Sequence, residues 1–141
     1  MDLLTQKEIE TEVQGYISNP AVLESEPGYP YWRWGKNGDR QFEILMYQIY
    51  KRRIDRHEFV GQYDDVRLMR GTKERGRDLV LYLDGKVVGV VQCKFTASQN
   101  HKFHKAAVAK EIIKFSLYAL MDSKLAPYPS QFDYVWRIAH V

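Results

Sequence analysis

The sequence predicts an α/β domain in which a mixed β-sheet of about four strands, one pair forming a β-hairpin, is flanked by helices. Segments with apolar residues at helical spacing alternate along the chain with short runs rich in Val, Ile and Tyr. Two such runs flank Asp84-Gly85, which is a strong hairpin signal. The resulting order is helix, helix, strand, hairpin, helix, strand, and this order predicts a layered domain.

Three helices are predicted from apolar spacing and end signals. The first covers residues 3–17 and ends before Asn19-Pro20. The second runs from Asp39, a plausible N-cap, to about Ile54 and ends in a basic segment. The third covers about residues 105–122, and its predicted buried face comprises Val108, Ile112, Phe115 and Ala119.

The strands are predicted around Val66–Met69, on both sides of Asp84-Gly85, and at Phe132–Ile138. Residues 18–38 form a predicted loop. For its aromatic cluster, packing at one end of the core is favoured over base stacking; the cluster comprises Tyr29, Tyr31, Trp32 and Trp34.

Length and composition indicate one globular domain. The chain has 141 residues, of which 45% are hydrophobic and 28% charged. It has no apolar run long enough for a membrane-spanning helix and no secretory signal at its start. Cys93 is the single cysteine, so an internal disulfide is excluded and a reducing compartment is favoured. We therefore expect a cytoplasmic protein.

Within this domain, residues 1–38 are expected to pack as a helix and an aromatic-rich loop against a core formed by residues 39–141. The sequence stops at His140-Val141, directly after an apolar strand. We expect an amino-terminal domain of a longer chain, although a short natural protein could also end in this way.

The net charge of +3 is too small to establish a nucleic-acid partner. The basic residues are unevenly distributed, however, and could form one surface that binds a polyphosphate. The alternative is a solvated, salt-balanced surface. The residues concerned are Lys51, Arg52, Arg53, Arg56, Arg67, Arg70, Lys73, Arg75, Arg77, Lys102, Lys105, Lys110 and Lys114.

The strongest chemical signal is a polar pair inside an apolar strand. Gln92 and Lys94 are two residues apart, so their side chains point to the same face of the sheet, while Cys93 points to the other. Burial of this pair would cost several kcal/mol unless another group pairs with it. Asp78, at the start of the preceding strand, is the candidate partner.

Hairpin geometry tests that pairing. A two-residue turn at Asp84-Gly85 places Asp78 opposite Val91, on the face away from Gln92 and Lys94. A three-residue loop, or a β-bulge, is needed to bring Asp78 onto their face. A shared site therefore requires an irregular hairpin.

The stretch Gly76-x-Asp78, a hairpin, then Val91-Gln92-Cys93-Lys94 resembles the motif of Mrr-type restriction endonucleases in the PD-(D/E)XK nuclease superfamily, a branch in which the acid before the lysine is often Gln. The preceding helix with Phe42-Glu43 resembles the first core helix of that family, whose Glu helps to bind metal. The resemblance covers roughly residues 39–139. It implies a restriction-endonuclease-like core.

The resemblance also implies roles for individual residues. Asp78 would be the central metal ligand, joined by the Gln92 side-chain oxygen, the Cys93 backbone carbonyl and Glu43. Such oxygen ligands suit Mg²⁺, with Mn²⁺ able to substitute, and one tightly held metal is favoured over two. Lys94 would orient the attacking water or stabilise charge on the phosphate.

The implied function is Mg²⁺-dependent endonucleolytic hydrolysis of double-stranded DNA with low sequence specificity. Family analogy adds an effector role in bacterial anti-phage defence or restriction, homo-oligomerisation, and a following sensor or NTPase region. The alternatives are a nuclease-like DNA-binding module that has lost catalysis and a purely structural domain. The candidate DNA-binding residues are Lys73, Arg75, Arg77, Lys102 and Lys105.

Two other clusters carry weaker signals. Asp64-Asp65 is interpreted as a solvated loop before a strand. His101 and His104 have metal-ligand spacing, but without a third ligand nearby they are interpreted as a loop and helix start that could touch DNA phosphate.

Overall fold

A mixed four-stranded sheet forms the centre of the domain in the computed structural model, which describes residues 3–17, 38–70, 77–96, 105–127 and 131–140. The predicted α/β class and element order are confirmed. The elements are α1 (Gln6–Ile17), α2 (Gly38–Asp55), β1 (Asp65–Leu68), β2 (Leu79–Leu83), β3 (Lys86–Thr96), α3 (Lys105–Met121) and β4 (Asp133–His140).

The strands lie in the order β1-β2-β3-β4. Strand β2 pairs antiparallel with both β1 and β3, whereas β3 and β4 are parallel. A parallel pair needs a crossover connection, and α3 lies in the segment that joins β3 to β4. The carboxyl ends of β3 and β4 therefore lie at the same edge of the sheet. The amino end of β2 is directed towards this edge, because β2 is antiparallel to β3.

Helices α1 and α2 cover one face of the sheet. Their apolar side chains pack on alternate residues of the three antiparallel strands, as the period of two in a strand requires. This core contains the buried side chains of Leu4, Ile9, Phe42, Ile44, Tyr47, Tyr50, Val66, Leu68, Leu79, Leu81, Val91 and Cys93. Cys93 thus points into the packing, as predicted.

The opposite face of the sheet carries the intervening residues. Val80 and Val90 are fully buried there, and Gln92 is 5% exposed. On this side Phe115 of α3 stacks on Tyr134 of β4 with ring centroids 4.5 Å apart. The predicted buried face of α3 is only partly correct, because Phe115 is buried but Ile112 is 42% exposed.

The hairpin between β2 and β3 combines a tight turn with a β-bulge. Asp84 and Gly85 both have positive φ, 51° and 74°, the requirement of a two-residue type I′ turn. The pairing shifts by one residue between Leu81 and Tyr82, which leaves Val88 as the extra residue of β3. Beyond the bulge, Leu79 lies opposite Val91. The irregularity that a shared site requires is therefore present.

Helix α1 begins with a reciprocal capping interaction. The Thr5 N–H donates to Glu8 Oε2 at 2.7 Å, and the Glu8 N–H donates to Thr5 Oγ1 at 3.3 Å. Helix α2 begins at Gly38, so the predicted N-cap Asp39 lies in the first turn instead. No helix in the described part of the chain is both long and apolar enough to cross a membrane.

Candidate functional site

The candidate site lies where β2 begins, beside residues 92–94 of β3. Asp78 immediately precedes β2, and its N–H donates to the Val91 carbonyl at 2.8 Å. Its Oδ2 accepts the Cys93 N–H at 2.6 Å, so the carboxylate lies against the backbone between Gln92 and Lys94. The shifted hairpin register positions Asp78 in this way. The structure therefore brings Asp78 to the polar pair on β3.

Glu43 approaches the same place from α2. Its side chain is 14% exposed, and its Oε2 accepts a hydrogen bond from Arg40 Nη1 at 2.7 Å. Burial, followed by the negative charge of Asp78, raises the pKa of Glu43 from 4.5 to about 7, against the lowering effect of Arg40. Asp78 is thus close enough for its negative charge to act on Glu43.

The pKa of Asp78 is raised as well, and the main cause is burial. The Cys93 N–H and the positive charges of Lys94 and Arg40 oppose that rise. A carboxylate whose pKa is raised by burial gains free energy from a nearby cation. A cation bound beside Glu43 and Asp78 would therefore stabilise the ionised form of both carboxylates.

Arg40 anchors the acidic side of the site and was missed by the sequence analysis. Its Nη1 donates to Glu43 Oε2 and to the Met69 carbonyl at 2.9 Å, while its Nε pairs with Glu12 of α1 at 2.7 Å. Burial disfavours the charged guanidinium, but the bonds to Glu12 and Glu43 outweigh it and raise its pKa. The i, i+3 spacing of Arg40 and Glu43 on a predicted helix could have revealed the pair.

Lys94 is half-buried on β3, and its charge lowers the pKa of Asp78. Its ammonium group makes no hydrogen bond or ion pair within 4 Å to another described residue. Cys93, the residue before it, is buried, and burial raises the pKa of its thiol. The thiol therefore stays protonated and unreactive, which leaves its backbone as the chemically relevant part.

Gln92 is directed into the packing on the α3 side. Its Oε1 accepts a hydrogen bond from the Tyr134 hydroxyl at 2.6 Å. Burial raises the pKa of Tyr134 to about 12, so this hydroxyl remains a donor at neutral pH. An amide oxygen has two lone pairs, and this bond occupies one of them. Tyr134 is a second residue that sequence reasoning missed, because its contact depends on the register of β4.

Of the five predicted DNA-binding residues, the structure describes two, Arg77 and Lys105. Arg77 is 7% exposed and presents little surface, whereas Lys105 is exposed at the start of α3. Lys73, Arg75 and Lys102, like His101, His104 and the aromatic cluster, lie outside the described residues.

Several other basic side chains already pair with acids at 4 Å or less. The pairs are Lys51–Asp55, Arg53–Glu58, Arg67–Asp65, Arg70–Glu8 and Lys114–Glu111. Much of the described basic surface is therefore salt-balanced.

The donor set of the site is two carboxylates and one amide. Among the described residues, no three His, Cys, Asp or Glu side chains converge as a metal-binding group. Glu43 and Asp78 each keep one carboxylate oxygen without a hydrogen bond to another described residue. These free oxygens fit a hard divalent cation that retains most of its water ligands.

Comparisons with protein-family models, with curated proteins and with solved structures found no match to this chain.

Proposed function

We propose that this chain is a metal-dependent nuclease that hydrolyses phosphodiester bonds in double-stranded DNA, with Asp78, Glu43, Gln92 and Lys94 as its working residues. The proposal rests on one observation above all. Two largely buried carboxylates, Glu43 and Asp78, lie close enough for the charge of one to raise the pKa of the other. Lys94, on the adjoining strand, adds the positive charge that phosphodiester hydrolysis uses.

Mg²⁺, or Mn²⁺ in its place, would be held by the free oxygens of Glu43 and Asp78, with the Cys93 carbonyl and the second lone pair of Gln92 Oε1 as further donors. When bound, such an ion would supply Lewis-acid polarisation of a phosphoryl oxygen. Because Gln replaces an acid at position 92, the site carries two negative charges. One tightly held ion therefore fits better than two.

The chain's own groups would do the remaining work. The Cys93 N–H fixes Asp78, and Arg40 fixes Glu43, so both carboxylates are oriented before any ligand arrives. Lys94 would neutralise the charge that develops on the phosphate oxygens, or orient the attacking water, because its ammonium is not committed to a carboxylate within 4 Å.

The choice of DNA as substrate rests on the resemblance of Asp78 and Gln92-Cys93-Lys94 to the Mrr-type motif. So does the suggested effector role in bacterial anti-phage defence, inside the cell and under the control of a sensor or NTPase region. Low sequence specificity follows from the small size of the domain, which leaves few side chains for base contacts beyond those that hold phosphates.

The test is cleavage of supercoiled and linear duplex DNA with Mg²⁺, Mn²⁺ or EDTA, using the wild type, Asp78→Asn and Lys94→Ala. We expect metal-dependent cutting that each substitution lowers by roughly 10²–10⁴-fold. Asp84→Asn and Lys86→Ala are matched controls, because they make the same chemical changes on the same hairpin away from the site. Both controls should cut like the wild type.

Metal binding is tested separately from cutting. Mn²⁺ should raise the melting temperature of the wild type at pH 8, above the pKa of about 7 of Glu43, and should not raise that of Asp78→Asn. Cutting that survives both Asp78→Asn and Lys94→Ala would show that the active site lies elsewhere.

A second candidate, a nuclease-like fold that binds DNA without cutting it, is favoured by the environment of Gln92. Its side chain is buried and already holds the Tyr134 hydroxyl, so it need not contact a metal ion. A wild type that retains duplex DNA in EDTA but cuts none under any metal condition would establish this candidate over the nuclease.

A further inference from the structure

A small cavity between α2 and β4 is lined by two arginines that come from different elements. It has a volume of about 240 Å³, and its described lining consists of Met46, Ile49, Tyr50, Arg53 and Arg137. Arg137 belongs to β4 and the other residues belong to α2. None of these residues is acidic, so the described lining carries two positive charges and is otherwise mainly apolar. We call this cavity the arginine pocket.

Arg137 contributes a positive charge that no described acid neutralises. Its Nη2 donates to the Tyr50 hydroxyl at 3.1 Å, and its guanidinium carbon lies 5.7 Å from the centroid of the Tyr50 ring. Among the described residues, no carboxylate pairs with it, since Asp133, four residues earlier on β4, accepts a bond from the Tyr63 hydroxyl instead. The bond to Tyr50 uses only one of the several N–H donors of a guanidinium. Because Arg137 is also exposed, its other donors are available to a ligand from solvent.

Arg53 is held at the other side of the pocket by two contacts. Its Nε pairs with Glu58 Oε2 at 2.6 Å, and its guanidinium carbon lies 4.3 Å from the centroid of the Phe59 ring. Phe59 in turn stacks on Tyr50, with ring centroids 5.8 Å apart. This aromatic pair therefore supports both guanidinium groups, one through the Tyr50 hydroxyl and the other through the Phe59 ring. Side chains that are already held lose less conformational freedom when they bind a ligand.

We propose that the arginine pocket binds a phosphate group of the nucleic-acid strand on which the proposed nuclease site acts. Two guanidinium groups present several N–H donors together, which suits the oxygens of a phosphate. The Nη atoms of Arg53 donate to no other described residue, so both arginines have donors for a ligand. An anion bound between them would also offset the repulsion of two like charges that line one cavity.

The position of the pocket favours a phosphate of the same strand, a step that rests on the proposed function. Arg137 lies opposite Cys93 in the β3–β4 pair, and the Cys93 N–H holds the Asp78 carboxylate. Neighbouring strands are about 4.8 Å apart. On α2, Tyr50 follows Glu43 by two helical turns, which is roughly 10 Å along the axis. Phosphates recur about every 3.4 Å of axis along one DNA strand, so the pocket is within reach of a phosphate a few nucleotides from the scissile one.

Fluorescence anisotropy with a short labelled duplex in EDTA tests the pocket without cleavage. Arg137→Gln and Arg53→Gln should each weaken binding roughly fivefold to tenfold at about 0.1 M salt. Each should also reduce the magnitude of the slope of log K against log salt concentration by about 1. Arg52→Gln is the matched control, because Arg52 is exposed on α2 but lines the groove beside α1 instead. This control should bind the duplex like the wild type.

A conservative variant separates binding from packing. Arg137→Lys retains the charge without the planar guanidinium, so it should keep the wild-type salt slope but bind the duplex more weakly than the wild type. The melting temperature of each variant is measured beside its binding. If Arg137→Gln melts earlier but binds the duplex like the wild type, Arg137 only supports the packing of Tyr50 and the inference is wrong.

Adenosine monophosphate is the second probe, because a small phosphorylated molecule offers the same phosphate chemistry. Calorimetric binding of this nucleotide that Arg137→Gln abolishes, with duplex binding unchanged, would overturn the assignment to a nucleic-acid strand. Failure of the proposed nuclease activity has a different result. A wild type that cuts no DNA, but whose duplex binding falls in both Arg137→Gln and Arg53→Gln, would support the pocket and contradict the nuclease.

Discussion

At the residue scale, the site depends on carboxylates that are harder to ionise than ordinary ones. Burial and the neighbouring Asp78 raise the pKa of Glu43 to about 7, and burial raises that of Asp78 as well. Arg40 compensates only in part, because it is shared with Glu12 and the Met69 carbonyl. The folded chain therefore retains charge repulsion that a bound cation would relieve.

The raised pKa of Glu43, caused first by burial and then by the charge of Asp78, predicts a pH dependence of stability. Between pH 4.5 and 7 the folded chain holds a proton on Glu43 that the unfolded chain has released, so the free energy of unfolding falls as pH rises through this window. The loss should be on the order of 2–3 kcal/mol, and Glu43→Gln should remove it. Asp78 contributes a change of the same sign and remains in the variant.

The measurement is urea denaturation from pH 4.5 to 8. Glu10→Gln, on the exposed surface of α1, makes the same chemical change outside the site and should follow the wild-type curve. Equal slopes for Glu43→Gln and the wild type would contradict the raised pKa of Glu43, and with it the burial of Glu43 beside Asp78.

The sequence predicts which residues lie together in the candidate site better than it predicts the hydrogen bonds that those residues make. Asp78, Gln92 and Lys94 follow from a polar pair in an apolar strand and from hairpin geometry. The bond between Tyr134 and Gln92 does not, because it depends on how the crossover through α3 sets the register of β4. No local sequence pattern indicates that the Tyr134 hydroxyl donates to the Gln92 side chain, because the two residues meet only through tertiary structure.

At the element scale, the β2–β3 hairpin determines whether Asp78 lies on the same face of the sheet as Gln92 and Lys94. Its turn was predictable from Asp84-Gly85, since both residues tolerate positive φ. Its bulge was not, because the extra residue lies in the run Val87-Val88-Gly89-Val90-Val91, where any one of several similar residues could be unpaired. Side-chain periodicity alone cannot locate one added residue in a uniformly apolar strand.

Gly89 lies beside the bulge and sets how closely β4 approaches β3. A Cβ atom at this position would lie 2.9 Å from the Asp133 carbonyl oxygen and 3.1 Å from the Asp133 Cβ. Because the first contact is with backbone, β4 itself would have to move. We expect Gly89→Ala to lower the free energy of unfolding by about 1–3 kcal/mol.

Chemical denaturation measures that loss. Gly85→Asn is the control in the same hairpin, since nothing lies within 4 Å of its added Cβ and asparagine tolerates positive φ. An unchanged stability for Gly89→Ala would mean that the parallel β3–β4 pair is looser than its register indicates. Strand β4 also carries Tyr134, so the variant should expose Gln92.

At the scale of the whole molecule, charge and apolar surface are distributed differently from the sequence expectation. Several described basic residues of the middle third pair with neighbouring acids, which reduces the free cationic surface that the sequence suggested. Among the described residues, the most exposed large apolar side chains lie on α3, whose pattern predicted one buried face. Sequence periodicity identifies apolar stripes, but not which of them the sheet covers.

This distribution predicts weak, shallowly salt-dependent binding to duplex DNA. Each neutralised phosphate contributes about −0.9 to the slope of log K against log salt concentration. Because several of the described cations already pair with acids, we expect the described surface to give a slope of small magnitude, on the order of −3. Lys105 is exposed at the start of α3 and is one of the predicted DNA-binding residues. Lys105→Gln should therefore reduce the magnitude of the slope by about 1.

Fluorescence anisotropy with a labelled duplex in EDTA measures this slope without cleavage. Lys51→Gln is the control, because Lys51 already pairs with Asp55 at 3.4 Å on α2, and its loss should change the slope little. If Lys105→Gln and Lys51→Gln behave alike, the phosphate contacts come from another surface. A steep wild-type slope would show that many cations besides Lys105 contact phosphates.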